Sequence, residues 1–384
     1  MTGFLAGEDL TPNAIEQARQ RKAATGGYID LTSSNPTHQG VLFPCDTLQR
    51  ASADYWANRR YDPDPRGLQA ARLAIAQYYA GRTPALQLDA DQVVITAGTS
   101  EAYSLLFALL TNPGDNVLAP SISYPLFDYI AMMHHIELRP YALDERRGWR
   151  IDPASLRLQA DERTRAVLII SPHNPTGAVV SARLPVLHAL GLPVICDEVF
   201  AAFPYHVPSV PPVGALHPEL PVFHLNGISK MFALPDLKLG WIALNAAAHD
   251  RFGARLEILN DTFLSASMLT QSMVPAIFEY GTAFTHTMHE RIKRSLDMAI
   301  ELLDGCANLR VRPPDGGYYL FPEVVAGWKD EEALVLHLLD HGVLVHPGYF
   351  YGYEQGTHLV LSCLTEPEQL HHGVKRLVAA LALP

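Results

Sequence analysis

The chain has 384 residues, 48% of them hydrophobic, and its 40 acidic against 29 basic residues set the formal net charge at -11. That length and apolar content exceed what one domain usually holds and predict two. No lysine or arginine block interrupts the acidic balance, which excludes nucleic acid and anionic membrane as expected partners and leaves small solutes. The four cysteines, Cys45, Cys196, Cys306 and Cys363, are widely spaced and form no CxxC pair. Zinc and a disulfide framework are therefore not expected, and a reducing, cytoplasmic location is. Residues 1–10 carry two acids and no basic leader region, and no apolar run approaches membrane-spanning length. His337 and His341 have helical i,i+4 spacing but precede Gly342, which reads as a helix C-cap, where histidines suit the helix dipole and need no metal.

From Asp91 onward, short apolar runs alternate with amphipathic stretches, the rhythm of βαβ units around a largely parallel sheet. In chain order the spacing predicts strands over residues 93–96, 116–119, 136–141, 166–170, 194–196, 222–225 and 239–244. Helices are predicted over 100–110 and 125–133 among the connections. After Met273 the pattern changes to a longer helical region through 290–303 and then to an α+β segment around 318–320 and 343–345, a second, smaller domain.

Lys230 stands in Gly227-Ile228-Ser229-Lys230-Met231-Phe232-Ala233-Leu234-Pro235, with a second cation, Lys238, eight residues on. A lysine among apolar residues loses ammonium hydration, its pKa falls, and the neutral amine can condense with an aldehyde. Pyridoxal phosphate is the obvious aldehyde. Alone, a Ser-Lys pair reads more simply as part of a loop. Three further strings precede it: Thr96-Ala97-Gly98-Thr99-Ser100-Glu101-Ala102, Ser171-Pro172-His173-Asn174-Pro175-Thr176-Gly177 and Cys196-Asp197-Glu198-Val199-Phe200. The Gly98-Thr99-Ser100 turn follows a strand and opens a helix, so its N–H groups gather where a phosphate is stabilised, although an ordinary N-cap has the same form. Asp197 closes an apolar strand, where an acid is costly without a cationic partner. Asn174-Pro175-Thr176-Gly177 also serves as a type I or II turn.

In order and spacing, the four strings resemble the class I/II aminotransferase family of fold type I pyridoxal phosphate-dependent enzymes, over nearly the whole chain. The resemblance implies an α/β fold: a large cofactor-binding domain over residues 46–275, with a mixed, mostly parallel seven-stranded sheet flanked by helices. A smaller α+β domain would combine residues 276–384 with an N-terminal arm over 1–45. The implied cofactor is pyridoxal 5'-phosphate. The implied reaction moves an amino group between an amino acid or related amine and a 2-oxo acid, through a Schiff base on Lys230. On the same grounds Gly98, Thr99, Ser100, Ser229 and Lys238 cup the phosphate. Asp197 keeps the pyridine nitrogen protonated, so that the ring takes up electrons from the substrate Cα, and Asn174 donates to the ring 3'-oxygen. Tyr124 stacks on the ring, unless it is plain core packing, and Tyr61 reaches the phosphate from the other subunit of a homodimer. Asn35 lines the substrate side. The partners implied are a small-molecule amino donor, an oxo acid acceptor and a second copy of the chain.

Some positions depart from the family pattern. Lys238 stands where most relatives carry arginine, and supplies charge without the bidentate fork; Gly227 stands where a serine is frequent. Phe200 replaces a tyrosine that donates to the 3'-oxygen, which implies a Schiff base of raised pKa. Val360, in His358-Leu359-Val360-Leu361-Ser362-Cys363, stands where most relatives carry the arginine that holds the substrate α-carboxylate, and valine cannot bind one. Either another cation does that work, with Arg59, Arg60, Arg66, Lys293 and His346 available, or the substrate is not a simple α-amino acid. The alternatives to transamination are elimination, cyclisation, decarboxylation or oxidation on the same cofactor and, more distantly, a cofactor-binding protein without catalysis.

Overall fold

The computed structural model describes residue 7, residues 9–264 and residues 266–382, so most of the leader stretch and the end of the predicted second domain lie outside the described residues. Seven strands form the central sheet: β1 Val93–Thr96, β2 Asn116–Pro120, β3 Glu137–Tyr141, β4 Thr164–Ile170, β5 Val194–Asp197, β6 Val222–Gly227 and β7 Gly240–Leu244. Every predicted run is a strand. They are arranged β1-β7-β6-β5-β4-β2-β3. Only β7 runs antiparallel to its neighbours β1 and β6, the remaining pairs being parallel. This is the mixed, mostly parallel sheet that the resemblance implies.

The central strands are apolar on both faces because both faces are covered. In β4, Ala166, Leu168 and Ile170 pack on one side against Tyr103 and Leu106 of helix α1 (Thr99–Leu110). Val167 and Ile169 pack on the other side against Leu187 and Val213, as the two-residue period of a strand requires. Helix α2 (Leu126–Met133) adds Phe127, Ile130 and Ala131 to the first layer.

The C-terminal part begins with α3 (Met268–Asp304), a 37-residue helix longer than the 290–303 predicted. It continues through Pro275, whose missing N–H and bulky ring ordinarily end a helix. A three-stranded sheet follows, with Leu359–Ser362 between Tyr319–Leu320 and His346–Pro347. The strand Ile29–Asp30 pairs in parallel with Val343–Leu344, so the N-terminal segment is hydrogen-bonded into this part. Leu296 and Leu303 of α3 share its core with Leu338, Leu361 and Leu377.

Because β1, β4, β5 and β6 all run the same way, the loops leaving their carboxyl ends converge on one edge of the sheet, where open α/β sheets present ligand sites.

Candidate active site

At that edge lies a cavity of about 590 Å³. Its walls come from segments far apart in the chain: Gly98, Thr99 and Ser100 after β1, Tyr124 before α2, Asn174 after β4, and Asp197 at the end of β5. Ser229 and Lys230 follow β6, Lys238 precedes β7, and Tyr319 comes from the C-terminal part.

Lys230 sits on the single helical turn Ile228–Met231 that follows β6. Its amine donates to the Ser34 carbonyl at 3.3 Å. Burial pushes its pKa down to about 8, against the pull of the Asp197 carboxylate. The neutral amine, the form that attacks an aldehyde, is therefore far more populated near neutral pH than in an exposed lysine.

Asp197 is 5% exposed. Its Oδ2 accepts the Tyr103 hydroxyl at 2.8 Å and its Oδ1 accepts the Val199 N–H at 3.1 Å. Burial pushes its carboxyl up to about 6, while these two hydrogen bonds and, through space, Lys230 draw it down. The adjacent acid, Glu198, turns away from the cavity, as alternation along a strand dictates. It meets Arg82 at 2.8 Å and His224 at 3.4 Å. Cys196, Glu198 and His224 are close enough to share a cation, but the Arg82 guanidinium already supplies the positive charge there.

At the start of α1, Gly98 provides no side-chain cap, which leaves the first-turn N–H groups facing the cavity. Gly240 lies against this turn: a Cβ there would meet the Gly98 carbonyl carbon at 2.9 Å and its Cα at 3.0 Å. Lys238 adopts φ 47°, a left-handed conformation unusual for a residue with a side chain and a mark of strain kept at a functional position. Glu101 reaches back to the Ala97 N–H at 2.5 Å.

The buried Oδ1 of Asn174 has no hydrogen-bond partner among the described residues. Its turn is pinned by the preceding His173, which burial lowers to about 4 and so keeps neutral. The His173 Nε2–H donates to the Ile122 carbonyl at 2.9 Å, and Nδ1 takes the Thr176 hydroxyl at 2.9 Å. Asn174 and the segment leading to Tyr124 are thereby tied together. Tyr124 is 44% exposed and meets Phe127 edge-on at 6.2 Å. Phe200 lines the cavity edge-on to Tyr318 at 4.9 Å, so residue 200 brings no hydroxyl.

Two of the cofactor and substrate candidates stand outside the cavity lining, as do the cations considered for the carboxylate, Arg59, Arg60, Arg66, Lys293 and His346. Tyr61 is 72% exposed, on a loop fixed by Arg72 through Asp64 at 2.9 Å. The Asn35 Oδ1 is engaged by Thr37, accepting its N–H at 3.1 Å and hydroxyl at 2.8 Å; its neighbour Ser34 lines the cavity. Val360 is buried directly opposite His346 in the small sheet. Tyr103, Ser34, Phe127 and Tyr319 line the cavity without having been singled out from the sequence.

Pyridoxal phosphate fits this donor set. It would set its 3'-oxygen before the Asn174 carboxamide, give the buried Asp197 a ring N–H partner, and place its phosphate at the open N-terminus of α1 with Ser229 and Lys238.

Residues 27–377 match the family model for aminotransferase class I and II. The tyrosine aminotransferase of Dictyostelium discoideum is 29% identical over 253 residues, which cover 62% of this chain and 60% of that protein. Nicotianamine aminotransferase 1 of Oryza sativa subsp. japonica is 32% identical over 248 residues, covering 62% and 49%. The chain thus spans less than two thirds of these relatives' lengths. Alanine aminotransferase from Pyrococcus furiosus superposes with a TM-score of 0.88 at 24% identity, over 96% of this chain and 97% of that one, and has the same fold.

Proposed function

The chain belongs to the aminotransferase class I and II family, the pyridoxal phosphate-dependent enzymes of fold type I, and we propose from that premise that it carries an amino group from an aromatic amino acid to a 2-oxo acid. The observation that carries this reading is the meeting, in one cavity, of the depressed Lys230 amine, the buried Asp197 carboxylate and the open first turn of α1.

When bound, the cofactor supplies an aldehyde for the substrate amine and a ring that takes up the electrons of the Cα–H bond. The chain's own residues do the rest. Thr99 and Ser100 with their N–H groups, Ser229 and Lys238 would hold its phosphate. Asp197 would accept from its ring N–H, and the negative charge would keep that proton in place. Asn174 would donate to its 3'-oxygen, and His173 fixes the Asn174 turn. Lys230, able to give and take a proton near neutral pH, removes the proton from the substrate Cα with its Nζ and returns it on the other side of the reaction. The cavity wall includes Tyr124, Leu126, Phe127, Ile130, Phe200 and Tyr319, an apolar lining that favours an aromatic side chain over a charged one. That preference agrees with the tyrosine-specific name of the Dictyostelium relative.

The active unit proposed is a homodimer in which the exposed Tyr61 enters the partner's phosphate site, and the exposed Trp56 nearby supports an interface there. No helix among the described residues is long and apolar enough to cross a membrane; with four free cysteines, a cytoplasmic location is proposed.

The test is to mix the loaded protein with L-tyrosine, L-phenylalanine, L-aspartate or tyramine, without oxo acid, and follow the cofactor absorption. Conversion to the amine form with release of an aromatic oxo acid supports the reading. Because Val360 offers no guanidinium, a second outcome is defined: ammonia release without the amine form assigns a lyase or oxidase instead.

A further inference from the structure

The helix that opens the phosphate site also reaches the acid at the cavity's far end. Thr99 and Tyr103 are one turn apart on α1, so they stand on the same face of a rigid element. Thr99 belongs to the open first turn. The Tyr103 hydroxyl lies 2.8 Å from Asp197 Oδ2, although the two residues are 94 apart in sequence. Tyr103 is 1% exposed, with its ring set between Phe127 at 4.7 Å and Phe107 at 6.0 Å. The side chain therefore has no freedom to wander, and both it and Asp197 form part of the cavity wall.

We propose that Tyr103 is a positioning residue: its phenol fixes the Asp197 carboxylate in the orientation, and in the ionised form, that a ring N–H in the cavity requires. This rests on the pyridoxal phosphate reading above and deepens it.

A carboxylate has about four lone-pair sites. The phenol occupies one on Oδ2 and the Val199 N–H one on Oδ1, which stops the group from rotating while leaving acceptor capacity on both oxygens. The other charged and titratable groups facing Asp197 cannot play this part. Glu198 repels it and is held beneath by Arg82, Cys196 lies buried on the same strand, and Lys230 acts only through space. Tyr141, which also borders the Tyr103 phenol, donates its own hydroxyl to the Leu168 carbonyl at 2.8 Å. Thus α1 sets the distance between the phosphate cup and the carboxylate, the two ends by which one rigid ligand would be held.

Tyr103→Phe keeps the ring and its packing and removes only the hydroxyl. The readout is the equilibrium affinity of the full chain, freed of cofactor, for pyridoxamine 5'-phosphate and for the analogue with carbon in place of the ring nitrogen. Neither ligand depends on Lys230 chemistry. Losing a hydrogen bond to a charged group predicts about tenfold weaker pyridoxamine 5'-phosphate binding by the variant, with the carbon analogue bound within about twofold of wild type. Equal weakening of both ligands makes Tyr103 a structural filler and overturns the inference, as does unchanged affinity for both. Failure of the wild-type chain to bind either ligand overturns the cofactor reading itself, and is visible before any variant is made.

Discussion

Replacing Arg82 with methionine strands a negative charge where water cannot reach it. The guanidinium gives Nη1 to Glu198 Oε1 at 2.8 Å and Nη2 to the Val210 carbonyl at 2.7 Å, and the two side chains are 7% and 1% exposed. Glu198 Oε2 has the His224 ring at 3.4 Å as further support. Burial pushes the Glu198 carboxyl up, but Arg82 and then His224 outweigh it and hold the group down at about 2. The fall from 4.5 to about 2 corresponds to about 3 kcal/mol. Breaking a buried pair by removing one partner costs about 3–5 kcal/mol, so the two routes agree. The folded pKa lies below the unfolded one. The stabilisation is therefore fully present above about pH 4.5 and is lost as the pH falls from there toward 2. Denaturant unfolding at pH 7 should show the variant about 3–5 kcal/mol less stable, with the gap to wild type narrowing as the pH falls toward 2, because burial without Arg82 raises the variant's Glu198 and lets it take up a proton first. Adding Glu198→Gln should recover more than half the loss, because no bare charge remains. A loss under about 1 kcal/mol at pH 7, as for an exposed ion pair, or a gap that does not narrow in acid, would show that Arg82 does not neutralise a buried Glu198 charge.

In the cofactor-free chain, reaction of Lys230 with an aldehyde reagent should rise with pH through an inflection near 8, because burial favours the neutral amine above that point. Asp197→Asn should lower the inflection by removing the carboxylate that opposes burial; an inflection at the ordinary lysine value contradicts both. Gly240→Ala drives a methyl into the Gly98 backbone and should cost about 1–3 kcal/mol of stability together with weaker cofactor phosphate binding; unchanged melting and affinity would show that the turn yields freely. Sedimentation equilibrium should return twice the 42.3 kDa chain mass, whereas a monomer with full activity removes Tyr61 from the site.

The strands were readable because a buried parallel strand needs a continuous apolar run and little else, as residues 166–170 show, the structure adding only Thr164 and Arg165 ahead of them. Lys230, Asp197, Asn174 and the Gly98 turn were readable because each is a polar or backbone feature set against an apolar stretch. Tyr103 was not, since within Ser-Glu-Ala-Tyr-Ser-Leu-Leu-Phe it has the spacing of a core residue and only the fold brings Asp197 to its hydroxyl. The Arg82–Glu198–His224 cluster was hidden for the same reason, its members coming from three separate segments of the chain. The start of α3 was missed because Pro275 and Gly281 signal a break. There, Gly281 leaves room for the Phe232 ring, which a Cβ would meet at 2.6 Å. Asn35 was read for its neighbourhood, but a short polar side chain beside a turn often caps it, and this one does.

The most direct test of the account is to reduce the pyridoxal phosphate-loaded protein with borohydride, digest it and locate the modified peptide by mass spectrometry. A pyridoxyl phosphate group is expected on Lys230 and on no other lysine. Modification of a different lysine, or none with cofactor still bound, would contradict the assignment of Lys230 as the nucleophile on which the functional reading stands.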